Sequence, residues 1–279
     1  MSEKIVVGLS AAPVSERVVT WAEQHAKALG QSVELVTVVG GAVGAVGEDS
    51  LAQTAGDAAQ QMLDTHAARL KDAGVDVTTR VDRGNPVAVL VDASEGATLL
   101  VIGSDSKGPG SGSVRGAHGI RISAAAKCPV VVVPDFDVSG RTGVLVGTDG
   151  SEVSAAAVRF AATEAVRLGE SLTALSVWTP MPIPGPLSGY PEPYLDDMQG
   201  VTAEILRGAL AAVREEHPEL EIVERVECGY PSTIITELAQ DARLAVVGSH
   251  GRGAFARLLL GSISHEVLAR LGTVTAIVR

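Results

Sequence analysis

Aromatic side chains are scarce in this sequence: Phe, Trp and Tyr together make up 3% of its 279 residues. Few rings are therefore available to stack against nucleic-acid bases. The formal net charge is -11 at pH 7, so the chain as a whole repels a phosphate backbone. These two features argue against nucleic acid as the main partner.

Long apolar runs are also missing. No run approaches the ~20 apolar residues that a membrane-spanning helix needs. The opening residues, Met1 to Ile5, carry no apolar signal segment. We therefore expect a cytoplasmic protein without a membrane partner, whose 46% of hydrophobic residues form globular cores.

The sequence offers little to a metal ion. Cys128 and Cys228 form no Cys-x-x-Cys pair, and we expect both to be small buried hydrophobic residues. The six histidines show neither His-x-x-x-His nor His-Glu-x-x-His spacing. We expect no metal site.

Short apolar runs alternate with helical patterns along the first half of the chain. This alternation predicts an α/β fold with a doubly wound, mainly parallel sheet of five strands. Gly30 is expected to end the first helix. The predicted strands are 4–9, 32–39, 75–81, 99–102 and 129–133; the predicted helices are 15–29, 49–73, 86–94 and 120–126; glycine-rich loops are expected at 40–47 and 103–119.

The second half repeats the first. Early matches, such as Phe160 with Trp21, have an offset of 139 residues, whereas later matches, such as Gly248 with Gly103, have an offset of 145. The difference of six (145 minus 139) marks an insertion, which we expect in 179–200. Six prolines there predict a long stiff loop, which is either a solvated connection or a cover for a site or partner.

The repeat predicts two tandem domains of one fold. The first domain covers 1–134, a linker rich in Asp, Ser and Gly covers 135–141, and the second domain covers 142–279. Two copies of this length favour a pseudo-twofold pair over a solenoid. The apolar final strands, 130–133 and 274–278, are able to pair within one chain, and a homodimer is expected in addition.

The stretch from Gly248 to Ser264 carries the clearest chemical signal. It joins a buried apolar strand, 244–247, to a helix predicted over 264–271. Gly248 and Gly251 lack a Cβ atom, so their backbone can approach a ligand closely. The stretch is not a Walker A loop, and it lacks the Rossmann Gly-x-Gly-x-x-Gly pattern.

The end of this stretch is suited to an anion. Gly261, Ser262 and Ser264 place free amides and two hydroxyls at a helix start, where the helix dipole favours negative charge. Arg252 and Arg257 are the only charged side chains of the loop, so its local charge opposes that of the chain. A phosphate chain fits this setting, although glycine turns and serine caps are also ordinary structural chemistry.

The glycine spacing, with two residues between Gly248 and Gly251 and nine between Gly251 and Gly261, resembles the nucleotide signature of the universal stress protein family. The resemblance covers nearly the whole chain, twice, and includes Gly-Thr-Asp-Gly-Ser at 147–151 and the Gly-Tyr-Pro turn at 229–231. Members of this family are five-stranded α/β proteins, some of which bind ATP and which usually pair through the last strand. The tandem arrangement resembles an actinobacterial type associated with stress and low-oxygen dormancy.

The resemblance implies ATP as the ligand, with or without Mg²⁺. Thr148 through its backbone, Asp149 and Val177 would then hold the adenosine. Arg252 would contact the terminal phosphate, although an exposed surface arginine fits the position equally well. The remaining phosphate contacts would come from Gly248, Gly251, Gly261, Ser262, the Ile263 backbone and Ser264.

The two halves differ at these positions. Where the second half has Asp149, able to accept hydrogen bonds from a nucleoside, the first has Ser10, although an aspartate at such a turn is also a common helix cap. Gly251, Ser262 and Ser264 correspond to Ser106, Ala117 and Gly119, and Asp105 would repel phosphates, partly offset by Lys107 and Arg115. The sequence predicts that the second half binds nucleotide and that the first half binds it weakly or not at all.

Catalysis has no clear basis in the sequence. It would need a positioned base or nucleophile and charge stabilisation, and His250 or His265 is more typical of a polar loop or helix residue. We therefore expect a nucleotide-responsive regulator whose surface an unidentified protein partner reads. Two alternatives stay open: an interaction protein that binds no nucleotide, and a slow ATPase.

Overall fold

The computed structural model describes residues 3–40, 48–104, 117–181, 190–251 and 260–279. The chain divides into two compact units, a first unit Met1–Asp137 and a second unit Val138–Arg279. Residues 41–47 of the predicted loop 40–47, residues 105–116 of the predicted loop 103–119, and Pro182, Pro184 and Pro186 lie outside the described residues.

The first unit is a parallel five-stranded sheet with the strand order β3-β2-β1-β4-β5. Its strands are β1 (Lys4–Leu9), β2 (Ser32–Val39), β3 (Val77–Arg83), β4 (Leu99–Gly103) and β5 (Val130–Val133). Its helices are α1 (Val14–Leu29), α2 (Glu48–Asp72), α3 (Pro86–Ala93) and α4 (Ala117–Ala125).

The second unit has the same topology, with the strand order β10-β9-β6-β7-β8 and parallel pairing throughout. Its strands are β6 (Val144–Gly147), β7 (Leu172–Trp178), β8 (Ile222–Cys228), β9 (Leu244–Gly248) and β10 (Val274–Val278), and its helices are α5 (Glu152–Leu168), α6 (Glu192–Glu216), α7 (Pro231–Leu238) and α8 (Ser262–Arg270). The predicted fold class, two tandem α/β units with parallel five-stranded sheets, is confirmed.

The strand order explains where a site can form. In each unit the chain winds outward in one direction from the first strand and then crosses back. Because parallel crossovers are right-handed, the two helix pairs cover opposite faces of the sheet. The reversal lies between β6 and β9 in the second unit, and the carboxyl ends of strands at such a reversal form a crevice.

The sequence pattern accounts for the fully buried strands and the helix ends. β5, β9 and β10 are buried at every residue, as expected for strands covered on both faces. Gly30 and Gly169 end α1 and α5 with left-handed φ angles of 65° and 67°. These glycines stand at equivalent places in the two units, which confirms Gly30 as the predicted stop.

Two predictions about this fold were wrong. The predicted loop 179–200 ends early, because α6 begins at Glu192 with Pro191 before it and Pro193 in its first turn. Proline is tolerated there, since the amides of a first helical turn have no helical partner. Cys228 is exposed, whereas Cys128 is buried as predicted; Cys228 ends β8, the outer strand of its sheet.

Across the described ranges, no helix is both long enough and apolar enough to cross a membrane.

Candidate functional site

A cavity of about 460 Å³ opens at the carboxyl ends of β6 and β9, in the crevice that the topology predicts. Its size lies in the range of small-molecule sites, roughly 300 to 1,000 Å³. Strand ends, the turn before α5, the first residues of α8 and one side of α7 form its walls. It is lined by Gly147, Thr148, Asp149, Ser154, Leu175, Val177, Pro231, Ile235, Val247, Gly248, His250, Gly251, Gly261, Ser262, Ile263 and Ser264.

Asp149 follows β6 in a tight turn. Its Oδ1 accepts a hydrogen bond from the Ser151 amide at 3.0 Å, which is an Asx turn. The cap of α5 is Ser151, whose Oγ accepts from the Ser154 amide at 3.2 Å. Asp149 is therefore not the helix cap, and its carboxylate lies at the cavity wall.

A buried hydroxyl pair holds this turn in place. Thr148 Oγ1 lies 3.0 Å from Ser154 Oγ and accepts from the Gly150 amide at 3.2 Å. Gly150 has a φ of 76°, a left-handed conformation that a side chain would strain. The chain leaving β6 is thereby fixed on both sides of Asp149.

Gly251 faces this carboxylate across the cavity. A Cβ atom at position 251 would lie 2.6 Å from Asp149 Oδ2, which is too close for any side chain without movement. The two residues are far apart in sequence, yet the fold brings them into direct opposition. A side chain at 251 would therefore displace the Asp149 carboxylate from this position.

Two backbone hydrogen bonds hold the residue after β9 beside β10 and beside the start of α8. The Ser249 amide donates to the Val278 carbonyl at 2.6 Å, and the Gly261 amide donates to the Ser249 carbonyl at 2.8 Å. A Cβ atom on Gly261 would lie 3.2 Å from that same Ser249 oxygen. The glycine therefore permits the close approach that puts the start of α8 beside the end of β9.

The first turn of α8 presents backbone amides to the cavity. Gly261 is its N-cap residue, and within the described part of the chain no side chain caps it. The first helical bond runs from the His265 amide to the Gly261 carbonyl at 2.9 Å. The amides of Ser262, Ile263 and Ser264 precede that bond, so they have no helical acceptor and favour an anion.

The two serine hydroxyls of α8 are in different environments. Ser264 is buried, and its hydroxyl donates to the Gly248 carbonyl at 2.5 Å. The Ser262 side chain is exposed at the helix start. The Ser264 hydroxyl, expected to contact phosphate, is therefore used within the protein, whereas the Ser264 amide has no helical acceptor.

His250 contributes an imidazole side chain to the residues that line this cavity. Its Nδ1 lies 3.1 Å from Ser249 Oγ. Desolvation by burial, and secondly the positive charge of Arg279, lower the pKa of His250 below its ordinary value. The imidazole is accordingly neutral at pH 7 in the ligand-free protein.

Nearly all predicted site residues converge on this cavity, including Val177 of β7. Arg252 lies outside the described residues. Sequence reasoning missed the apolar wall formed by Leu175, Pro231 and Ile235. The repeat contained a signal for it, since Ile235 matches Leu90 at the 145-residue offset, but the repeat does not tell which buried side chains face a cavity.

The equivalent place in the first unit differs in its polar residue. Ser10 stands at the position of Asp149, and its hydroxyl accepts from the Ala12 amide at 3.4 Å. The packing behind the strand end is alike in the two units: a Cβ atom on Gly8 would lie 2.9 Å from Leu90 Cδ1, and one on the equivalent Gly147 would lie 3.0 Å from Ile235 Cδ1. Asp105, Ser106, Lys107, Arg115 and Gly116 lie outside the described residues.

The sequence model of the universal stress protein family matches residues 1–134 and 141–279. The chain belongs to the universal stress protein family. Among curated relatives, a universal stress protein of Mycolicibacterium smegmatis is 31% identical, over 99% of this chain and 96% of its own length. A universal stress protein of Mycobacterium tuberculosis is 30% identical, over 95% of this chain and 91% of its own length.

A solved structure shares the universal stress protein fold over the full chain. The crystal structure of a universal stress protein from Archaeoglobus fulgidus matches with a TM-score of 0.72 at 20% sequence identity. The match covers 99% of this chain and 96% of that one. At this identity the likeness establishes the fold, which agrees with the tandem α/β units described above.

The serine pair of α8 provides a test of this geometry. Ser264→Ala leaves the buried Gly248 carbonyl without its hydroxyl donor, and we expect it to destabilise the protein by about 1 to 3 kcal/mol. Ser262→Ala removes an exposed hydroxyl and should cost less than about 0.5 kcal/mol. Urea unfolding of both variants measures the difference. Equal stability of the two would contradict the placement of Ser264.

Proposed function

We propose that this universal stress protein binds ATP in the cavity of its second unit and acts as a nucleotide-responsive regulator. The observation that carries the proposal is the pairing, within one cavity, of an anion-binding helix start at α8 with the carboxylate of Asp149. A ligand that suits both ends has a negative chain at one end and hydrogen-bond donors at the other. A nucleoside phosphate has that chemistry.

The phosphate end of the proposed site is electrostatically suitable. Three successive amides at the start of α8 have no helical acceptor, and the helix dipole adds to their attraction for an anion. Hydrogen bonds to charged groups contribute more than neutral ones, about 1.5 to 3 kcal/mol each. Gly248, Gly251 and Gly261 let the backbone approach phosphate oxygens without a side chain between them.

The adenosine end combines one carboxylate with apolar side chains. Leu175, Val177, Pro231 and Ile235 offer surface for a base, while Asp149 accepts hydrogen bonds from ribose hydroxyls or from an amino group. Ligand sites are commonly apolar, with a few polar groups that fix orientation. This arrangement supports adenosine as the occupant.

We propose binding without turnover as the main activity. Hydrolysis would need a base that positions water beside the phosphates. His250, the titratable side chain next to the α8 amides, is neutral but lies against Ser249 Oγ. ATP bound with or without Mg²⁺ would instead stabilise one arrangement of the 248–264 loop, which a protein partner reads.

The first unit is proposed to bind ATP weakly or not at all. It has Ser10 in place of the carboxylate of Asp149, and Ala117 and Gly119 in place of Ser262 and Ser264. The match to mycobacterial universal stress proteins along nearly the whole chain supports a role in the stress response. We extend this role to low-oxygen dormancy from the resemblance of the tandem arrangement alone. We place this role in the cytoplasm, where ATP is available, and expect the regulator to act as a homodimer.

Calorimetric titration with ATP, with and without Mg²⁺, tests the proposal. We expect a stoichiometry close to one ATP per chain. Ser262→Pro removes one amide donor without strain, because proline suits the first helical position and Gly261 has the extended ψ of 152° that a preceding residue needs. This variant should bind ATP about 10-fold more weakly or worse, because it loses one hydrogen bond to a charged phosphate.

Two controls separate the causes. Ser262→Ala removes only the hydroxyl, so its ATP affinity measures how much that hydroxyl contributes to binding. Ala117→Pro makes the same change at the first residue of α4, the equivalent position in the first unit, and should leave ATP affinity unchanged. Absence of binding to the unmodified chain would refute the proposal and leave a nucleotide-independent interaction protein as the better interpretation. An equal loss in Ser262→Pro and Ala117→Pro would contradict the assignment of the ligand to the second unit alone.

The pKa of His250 should report phosphate binding. In the free protein this pKa is lowered by burial and by Arg279. Phosphate charges beside the ring favour the imidazolium form, so ATP should raise the pKa of His250. Histidine NMR titration with and without ATP measures the shift. An unchanged or lowered pKa in the complex would show that the phosphates lie away from His250.

A further inference from the structure

Helix α7 forms one wall of the cavity through Pro231 and Ile235, yet its own start has no local cap. The N-cap residue is Tyr230, whose side chain makes no capping hydrogen bond. The equivalent helix of the first unit, α3, is capped by Asn85, whose Oδ1 accepts from the Val87 amide at 2.9 Å. The two units therefore complete the same helix start in different ways.

In the second unit, a carboxylate from α8 lies at the start of α7. The buried Ser232 hydroxyl donates to Glu266 Oε2 at 2.6 Å, and the Tyr230 hydroxyl donates to Glu266 Oε1 at 3.3 Å. Ser232 is the second residue of α7, where the helix dipole favours an anion. The hydrogen bond from Ser232 lowers the pKa of Glu266, so the carboxylate is ionised at neutral pH.

Glu266 also lies one turn beyond the cavity-lining amides of α8. Residues four apart lie on the same side of a helix, so Glu266 sits behind Ser262, at the start of that helix. A second link joins the same two helices farther along, from Arg270 Nη1 to Thr233 Oγ1 at 3.4 Å. The phosphate end of the proposed site is thus connected by side chains to the apolar wall.

The first unit lacks the residue pair that makes this connection. At the offset of 145 residues, Glu266 corresponds to Arg121 (266 minus 121) and Ser232 corresponds to Val87 (232 minus 87). An arginine and a valine cannot form a carboxylate-hydroxyl hydrogen bond. The first unit thus differs from the second at this pair of positions as well as at Asp149.

We propose that Glu266 is a positioning residue for the nucleotide. By holding the start of α8 against the start of α7, it sets the distance between the phosphate-binding amides and the apolar wall. This inference rests on the proposed function, since the ligand that the two walls close upon is ATP. Glu266 itself touches neither the base nor the phosphates.

A pair of variants separates positioning from simple stability. Glu266→Ala removes the link and leaves the start of α7 uncapped, so both thermal stability and ATP affinity should fall. Tyr230→Asn in that background supplies a local cap, because Tyr230 has φ and ψ of -99° and 116°, close to the -84° and 116° of Asn85. We expect the double variant to regain its thermal midpoint but to bind ATP about 3- to 30-fold more weakly than the unmodified chain.

Calorimetry with ATP and thermal unfolding are measured on the full chain for both variants. Glu266→Gln, which keeps a hydrogen-bond acceptor, should restore part of the affinity, and Arg121→Ala at the exposed equivalent position in the first unit should change nothing. If the double variant binds ATP as tightly as the unmodified chain, Glu266 acts only as a cap and the inference is overturned. If the unmodified chain binds no ATP, the proposed function fails first, and the role of Glu266 toward nucleotide fails with it.

Discussion

The cavity of the second unit depends on how closely the start of α8 packs against the end of β9. The backbone bond from Gly261 to Ser249 and the buried bond from the Ser264 hydroxyl to the Gly248 carbonyl set this close approach. The first of these bonds favours glycine, because a Cβ atom on Gly261 would lie 3.2 Å from the Ser249 oxygen. The consequence is a helix start whose amides face the carboxyl edge of a parallel sheet, at the reversal of the strand order. The cavity, the position of Asp149 opposite Gly251, and the neutral His250 follow from this approach.

The internal repeat shows which parts of the fold are required by packing and which by chemistry. Strand order and the helix-ending glycines are the same in both units, and in both the last strand is buried at every residue. The differences lie at strand ends and helix starts, where the side chains do not determine how the hydrophobic core packs. Asp149 against Ser10 and Glu266 against Arg121 are changes of this kind. One fold thereby supports one unit suited to an anionic ligand and another without those residues.

Much of the fold could be predicted from sequence because its signals are local. Strands β1, β2 and β10 have the bounds that their apolar runs predicted. β3 begins two residues later than predicted, because Val75 is still in the turn that follows α2, where its amide donates to the Leu70 carbonyl. The start of α6 was missed because prolines that indicate a loop are also tolerated in a first helical turn.

The site was predictable in composition but not in detail. Glycine spacing indicated the loop, and the cavity contains the predicted residues that the structure describes. The direction of the Ser264 hydroxyl, the wall supplied by α7 and the link from Ser232 to Glu266 join segments that are distant in sequence, the last of them 34 residues apart. No local pattern encodes such contacts. They follow from the packing of α7 and α8, which only the structure gives.

An amide NMR titration of the full chain with ATP tests most directly whether the start of α8 binds the phosphates. We predict that the amide resonances of Ser262, Ile263 and Ser264 shift in a saturable manner, while those of the equivalent residues Ala117, His118 and Gly119 do not. Saturable binding without a response at the start of α8, or with an equal response at the start of α4, would contradict phosphate binding at that helix.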